Sequence, residues 1–376
     1  MYVIQKQLEN LRRLAVPGKV VVIYGPRRTG KTTLLTEFLK GESEPYILTT
    51  GEDFTVQSYL ASQSVEKLKA FVGAVRLLVV DEAQKIPRIG LNLKLVVDHI
   101  PGIRIIASGS SSFDLARSIG EPLTGRKYTL KLFPLAQIEI AQIEQRHQTD
   151  ANLESRLIYG SYPEVVLMED NRGRERYLKE IVSAYLYKDI LELDGIRHSA
   201  KISRLLQLIA FQIGKEVSFN ELGTSLGMSK NTVERYLDLL EKAFVVQKMT
   251  GFSRNLRTEV TKNCRYYFID NGIRNTLINN FNLLTQRDDI GQLWENYLVM
   301  ERLKRQEYLG KQANNYFWRT YAGNELDLVE EREGQLFGYE MKWGGSQSRP
   351  PKAWRTAYPD ASFQLINRDN YLEFIT

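Results

Sequence analysis

The segment KVVVIYGPRRTGKTTLLTEFL, residues 19–39, constrains the fold more than any other part of the sequence. Its centre fits the phosphate-binding pattern G-x-x-x-x-G-K-[ST]. Val20–Tyr24 is a short apolar, β-branched run typical of a buried parallel strand, and residues 32–40 have the apolar spacing of a helix with one buried face. A strand, a glycine loop and a helix start surround an anion with backbone N–H groups. The segment therefore predicts a nucleotide site in an α/β fold.

The residues of this loop have separate predicted roles in binding ATP and Mg²⁺. Lys31 is predicted to reach the β and γ phosphates, and the Thr32 hydroxyl is predicted to bind Mg²⁺. The phosphate contacts are assigned to the loop and the helix start, namely Gly25, Pro26, Arg27, Arg28, Thr29, Gly30, Lys31, Thr32 and Thr33.

A second apolar run, RLLVVDEAQ at residues 76–84, ends in two carboxylates. Ligands of a parallel α/β sheet gather at the carboxyl ends of the strands, where this pair would emerge. Asp81 is predicted to complete the Mg²⁺ shell, and Glu82 to polarise the attacking water as a general base.

Two further groups of candidates follow along the chain. The strand predicted at residues 103–107 leads into SGSSS, where Ser108 or Ser110 would contact the γ-phosphate or align the water; a plain Gly/Ser loop is the alternative. Arg126 lies on a predicted turn. It is either an arginine finger, acting in its own subunit or on a neighbour, or a solvated surface arginine.

A resemblance to a known family extends over essentially the whole chain. Four segments are similar to the core of a prokaryotic AAA-type P-loop ATPase family: GPRRTGKTTLL, LLVVDEAQKIP, IIASGSSS and EPLTGRKYTLKLFPLAQIE. The resemblance continues through YGSYPEVV towards the C-terminus. The resemblance implies an α/β P-loop ATPase core with a helical lid, then a winged helix, then an α/β restriction-endonuclease-like PD-(D/E)xK domain of unknown function. The expected boundaries are 1–134, 135–199, 200–262 and 263–376.

The spacing of residues 219–242 predicts a helix-turn-helix with Gly227 in the turn. Residues 229–242 carry three basic and three acidic side chains, a balance that is poor for a helix lying against phosphates. Residues 254–265, with four basic residues and one acid, are predicted to form a basic wing. Two interpretations remain open: the module contacts DNA, or it only packs between its neighbours.

The C-terminal third contains the D…E-x-K signature of nuclease-type metal sites. An even-numbered turn would pair Asp327 with Glu340 and Glu325 with Lys342 on one strand face. Two opposed carboxylates repel, and a divalent metal would remove that cost. Asp327, Glu340 and Glu295 are the predicted ligands, with Lys342 acting on the reacting phosphate. The alternatives are a solvated strand face and a fold that only binds.

Composition limits the class of protein. The mean hydropathy is −0.33, and no apolar run approaches the roughly 20 residues that span a bilayer. The N-terminal stretch lacks a secretory apolar region, and the single Cys264 excludes an internal disulfide. These features predict a cytoplasmic protein without a membrane partner. The net charge of +6 permits contact with nucleic acid.

Together the patterns predict a Mg²⁺-dependent ATPase coupled to a winged-helix and nuclease-like module that acts on DNA, in a monomer or an oligomer. One rival is a nucleotide-dependent switch whose C-terminal domains bind protein or nucleic acid without cleavage. Another is a winged-helix regulator that uses ATP as an allosteric ligand.

Overall fold

The computed structural model describes residues 3–110, 123–186, 199–254, 263–345 and 349–376. The chain divides into two compact units. We call Tyr2–Leu135 with Lys242–Phe244 the N-terminal unit, and Ala136–Glu241 with Val245–Thr376 the C-terminal unit.

A parallel sheet with helices packed against it forms the described part of the N-terminal unit. Its strands are β1 (Val20–Tyr24), β2 (Tyr46–Thr50), β3 (Leu77–Asp81), β4 (Arg104–Gly109) and β5 (Lys127–Lys131). Its helices are α1 (Gln7–Leu14), α2 (Lys31–Leu39), α3 (Phe54–Leu60), α4 (Val65–Val72) and α5 (Ile89–His99). The strand order is β2-β3-β4-β1-β5, with every pairing parallel.

The apolar pattern of the N-terminal unit explains its layers. All five residues of β1 are buried, as expected for a central strand covered on both faces. Leu8 and Leu11 of α1 pack in one core with Leu34 and Phe38 of α2. The predicted strand and phosphate-loop helix are therefore confirmed, with α2 beginning one residue before the predicted start.

Strand order places the two predicted motifs side by side. Strand β4 pairs with both β1 and β3, so the loop after Tyr24 and the end of β3 at Asp81 lie at the same edge of the sheet. Because parallel strands present their carboxyl ends together, this edge is where ligands of such folds bind.

The C-terminal unit combines helices with a mixed sheet. Its helices are α6 (Gln137–Ile140), α7 (Arg146–Tyr159), α8 (Pro163–Leu167), α9 (Asn171–Glu180), α10 (Ser199–Phe211), α11 (Phe219–Leu226), α12 (Lys230–Lys242), α13 (Asn271–Leu277), α14 (Ile290–Leu309), α15 (Lys352–Ala357) and α16 (Tyr371–Ile375). Across the described ranges, no helix has both the length and the apolar character needed to cross a membrane.

The strands of the C-terminal unit are β6 (Glu216–Val217), β7 (Val246–Gly251), β8 (Cys264–Phe268), β9 (Asn314–Arg319), β10 (Glu325–Arg332), β11 (Gln335–Met341) and β12 (Ser362–Ile366). They form one sheet in the order β12-β11-β10-β9-β7-β8-β6. The parallel pairing of β7 with β9 joins its two halves, with Thr250 beside Tyr316.

The hairpin of β10 and β11 has the register that the sequence predicts. Leu328 pairs with Tyr339 and Arg332 with Gln335, closing over the two-residue turn at positions 333–334. Both turn residues have positive φ, 52° and 74°, as a type I′ turn requires. The turn type fixes the register and so determines which side chains share a face.

The predicted helix-turn-helix elements are also observed. Helix α11 ends at Leu226 and is capped by Gly227, whose φ of 57° is left-handed, and α12 begins at Lys230. Val233, Tyr236, Leu237 and Leu240 of α12 are buried, as the spacing indicates.

Candidate functional sites

The loop between β1 and α2 depends on two glycines. A Cβ at Gly25 would lie 2.1 Å from the Leu132 carbonyl oxygen, so a larger residue would push the loop off the chain that leaves β5. Gly30 caps α2 with a φ of 89°, a conformation that L-residues rarely adopt. These two positions let the backbone turn sharply into the first turn of α2.

The phosphate-loop lysine is folded onto its own loop. Lys31 is 6% exposed, and its Nζ donates to the carbonyl oxygens of Gly25 at 2.9 Å and Pro26 at 2.8 Å. The first bond of α2 runs from the Leu34 N–H to the Gly30 oxygen at 2.8 Å. The first turn of a helix presents its backbone N–H groups outward and forms the positive end that attracts an anion.

The phosphate loop and β3 meet through side chains. The Thr32 hydroxyl donates to Asp81 Oδ2 at 2.6 Å, and the Ser108 hydroxyl donates to Asp81 Oδ1. Two of the predicted residues, Thr32 and Ser108, therefore bind the carboxylate of the third, Asp81. A threonine hydroxyl next to an aspartate supplies the oxygen ligands that Mg²⁺ prefers beside a nucleotide phosphate.

Glu82 is held in an unusual backbone conformation next to this group. Its φ of 49° and ψ of 39° are left-handed, which costs roughly 1–2 kcal/mol for a residue with a side chain. The Gln84 amide Nε2 donates to Glu82 Oε2 at 2.5 Å and to the Ser110 hydroxyl at 3.2 Å. Gln84 thus joins Glu82 to Ser110. The sequence did not predict this contact, although Glu82 and Gln84 both belong to the DEAQ segment.

Arg126 lies at the other end of β1 from this cluster. It precedes β5, and its carbonyl oxygen accepts from the Val20 amide at the first residue of β1. The phosphate loop follows the last residue of β1, so it lies at the opposite end of that strand. Arg126 Nε binds Asp98 Oδ1 at 2.7 Å. This position at the other end of β1 from the phosphate loop does not support an arginine finger acting in its own subunit, and the role of Arg126 stays a prediction.

The C-terminal unit brings the D…E-x-K residues together in a cavity of about 530 Å³. The acidic and basic side chains that line it are Glu216, Glu295, Glu325, Asp327, Glu340, Lys215, Arg265, Arg319 and Lys342. Helix α14 supplies Glu295, the third predicted ligand. The predicted strand face and the predicted helix residue therefore converge on one polar cavity.

Arg265, at the second position of β8, reaches into the acidic group. Its Nη2 lies 2.9 Å from Glu325 Oε2, and its Nη1 lies 3.6 Å from Glu295 Oε1 and 4.0 Å from Asp327 Oδ1. The sequence places this arginine in the predicted basic wing, but it is only 4% exposed and so adds no accessible charge there. The residues of the wing from 255 to 262 lie outside the described ranges.

Burial and neighbouring charges shift the pKa values of the acidic and basic side chains in this cavity. Burial raises the pKa of Glu295 to about 7, against the opposing effect of Arg265. Burial also raises the pKa of Asp327 well above its usual range, and the neighbouring Glu295 and Glu340 raise it further. The pKa of Lys342 is raised by its bond to Glu340, at 2.7 Å.

Among the residues that the structure describes, no group of three or more His, Cys, Asp or Glu side chains is arranged to hold a metal ion.

Comparison with known families agrees with the geometry of the N-terminal unit. Residues 17–141 match the family described as an AAA domain, residues 150–284 match a domain of unknown function (DUF8612), and residues 290–371 match a second domain of unknown function (DUF4143). The strand order, the phosphate loop and the AAA match together define an AAA-type P-loop ATPase domain.

Relatives that match most of this chain are uncharacterized proteins. One from Mycobacterium tuberculosis is 29% identical over 89% of this chain and 72% of its own length. One from Methanocaldococcus jannaschii is 25% identical over 94% of this chain and 81% of its own.

Solved structures show weaker similarity. A signal transduction ATPase with numerous domains from Pyrococcus horikoshii has a TM-score of 0.30 and 13% identity over 81% of this chain, which spans 46% of that structure. Domain III of the replication initiation protein DnaA from Thermotoga maritima has a TM-score of 0.31 and 18% identity over 60% of this chain and 93% of its own.

Proposed function

We propose that this protein hydrolyses ATP with Mg²⁺ at the carboxyl edge of the N-terminal sheet. The observation that carries the proposal is the 2.6 Å bond from the Thr32 hydroxyl to Asp81 Oδ2. It supports a Mg²⁺ position because it brings the two oxygens that commonly bind the ion in P-loop enzymes into contact. When bound, Mg²⁺ neutralises charge on the β and γ phosphates.

The other residues of the site have roles that follow from their positions. Lys31 would exchange the Gly25 and Pro26 carbonyl oxygens for phosphate oxygens, which offer a charged partner for its ammonium group. Glu82 would accept the proton of the attacking water. Ser108 orients Asp81, and Ser110 orients Gln84. Arg126 would act on a neighbouring subunit, or it is a surface arginine paired with Asp98.

The Mg²⁺ assignment is tested by two threonines one turn apart on α2. Thr32→Val removes the hydroxyl that touches Asp81, whereas Thr36→Val removes an exposed hydroxyl that donates to the Thr32 carbonyl oxygen at 2.9 Å. We expect Thr32→Val to lose the Mg²⁺ dependence of ATP binding and at least a hundredfold in kcat, as expected for a metal that stabilises the transition state. Thr36→Val serves as the control and is expected to match the wild type. Equal behaviour of the two variants would contradict the assignment.

We further propose that α10, α11 and α12 with β6, β7 and β8 form a winged-helix module that contacts duplex DNA. The order helix, strand, two helices, then the β7–β8 hairpin supports this, as does the antiparallel pairing of β8 with β6 and β7. Strands β9 to β12 with α14 would form the restriction-endonuclease-like part.

The charge balance assigns DNA contact to the hairpin and not to α12. Lys230 and Arg235 of α12 are offset by Glu234 and Asp238. Neutralising Arg254, Arg257 and Lys262 together should weaken DNA binding. It should also lower the number of counterions released on binding, read from the slope of log K against log salt concentration, by up to about three. Neutralising Lys230 and Arg235 is the comparison and should weaken binding by less for each charge removed. A larger effect from the helix pair would reverse the assignment.

A protein-binding switch is the second candidate, favoured by one observation. Arg254 Nη2 lies 3.2 Å from Glu331 Oε1, so part of the wing charge is already paired within the chain. Failure of both sets of variants and of the wild type to bind duplex DNA would favour the switch.

A further inference from the structure

The carboxylates predicted to bind a metal already surround a cation of the chain itself. Arg265 Nη1 lies 3.6 Å from Glu295 Oε1 and 4.0 Å from Asp327 Oδ1. Its Nη2 binds Glu325 Oε2 at 2.9 Å. A metal bridging Glu295 and Asp327 would have to share this space with the guanidinium.

Arg265 is firmly held in this position. Its side chain is 5% exposed, and its guanidinium carbon lies 4.5 Å from the centre of the Phe317 ring. Its backbone pairs with Glu216 on one side and Met249 on the other, because β8 is an inner strand. Moving the side chain aside would break a cation–π contact and the ion pairs together.

The carboxylates also have other partners. Asp327 Oδ2 accepts from the Met341 amide at 2.7 Å, Glu295 Oε1 accepts from the Tyr267 hydroxyl at 2.7 Å, and Glu340 pairs with Lys342. Mg²⁺ requires oxygen ligands at about 2.0–2.1 Å in near-octahedral geometry. The donor set therefore does not fit a divalent ion while Arg265 remains in place.

We infer that Arg265 is the resident cation of the D…E-x-K cluster, and that the cluster is a latent site which accepts a divalent ion only when the guanidinium is removed. Arg265 supplies the positive charge that opposed carboxylates need, which the sequence alone attributed to a metal. The inference goes beyond ATP hydrolysis and does not depend on it, since every residue it uses lies in the C-terminal unit.

The test is whether removing the guanidinium creates a metal site. Every protein is nucleotide-free and carries Asp81→Asn, so that the phosphate loop contributes no Mn²⁺ binding. Free Mn²⁺ is measured by electron paramagnetic resonance during titration. We expect no ion bound by the parent, one ion bound by Arg265→Ala, and at least a tenfold loss of that affinity on adding Asp327→Asn, because one charged ligand is gone.

Arg319→Ala is the matched control. Arg319 lines the same cavity but pairs with Glu216 at 2.5 Å and not with the three carboxylates around Arg265. It should bind no Mn²⁺. An ion bound by the parent and lost on Asp327→Asn would overturn the inference, as would a folded Arg265→Ala that binds none.

Thermal melting keeps the test decisive if Arg265→Ala folds poorly. Mn²⁺ should raise the melting temperature of Arg265→Ala by mass action and leave the parent unchanged. Arg265→Met, which keeps an unbranched side chain over Phe317, is the second variant. If neither variant folds even with Mn²⁺ present, the ion does not replace the guanidinium and the inference is wrong.

Discussion

The Gln84 side chain orients the Glu82 carboxylate, because its Nε2 donates a hydrogen bond to Glu82 Oε2 at 2.5 Å. We expect Gln84→Leu to lower kcat for ATP about ten- to a hundredfold while leaving the KM for ATP nearly unchanged, since the base is still present but poorly placed. Steady-state kinetics with fluorescent-nucleotide binding separates the two parameters. Gln63→Leu is the control, because the Gln63 side chain contacts Arg88 and not the site. A loss of ATP affinity equal to the loss of kcat would show that Gln84 binds nucleotide instead.

At the scale of elements, a buried ion pair fastens α14 to β10. Arg302 Nε and Nη2 bind Glu330 at 2.5 and 2.9 Å, and Glu330 is fully buried. Arg302→Met removes this two-pronged partner and leaves Glu330 with Arg332 Nε, at 3.3 Å, and the Gln306 amide, at 2.8 Å. It should destabilise the C-terminal unit by about 3 kcal/mol, the lower end of the range for a broken buried pair. Urea unfolding followed by tryptophan fluorescence measures this, because Trp294 and Trp318 are buried in that unit.

The double variant is the control for this pair. Arg302→Met with Glu330→Leu removes both charges and should recover most of the loss, because well-packed apolar residues often replace a buried pair at little cost. A double variant as unstable as Arg302→Met alone would mean that Arg302 acts through its bond to the Phe374 carbonyl oxygen, at 2.6 Å, and not through Glu330.

The elements also explain how much could be predicted from the sequence. The phosphate-loop helix, β3 ending at Asp81 and the β10–β11 register were predictable, since each depends on residues close in sequence. The position of Arg265 was not, because its partners come from α14 and β10. An arginine inside the apolar run CRYYF of β8 was the available signal, since buried charges require partners.

At the scale of the whole molecule, the account predicts that nucleotide state changes DNA affinity. Glu82→Gln should hold ATP without hydrolysing it and should therefore keep the protein in its ATP-bound state. We expect the duplex DNA affinity of this variant to differ between ATP-bound and nucleotide-free protein by about 5- to 150-fold, the usual range of coupling between two sites. By linkage, DNA should change ATP affinity by the same factor. Fluorescence anisotropy at fixed salt measures both, and equal affinities in the two states would show that the sites are uncoupled.

The central claim is that the site joined by Thr32 and Asp81 hydrolyses ATP with Glu82 as the base. The most direct measurement compares phosphate release and ATP binding in the wild type, Lys31→Ala and Glu82→Gln, each with and without Mg²⁺. The account predicts Mg²⁺-dependent release by the wild type and weak ATP binding by Lys31→Ala. For Glu82→Gln it predicts unchanged ATP binding with release slowed about a hundredfold or more. Hydrolysis at the wild-type rate by Glu82→Gln would contradict it.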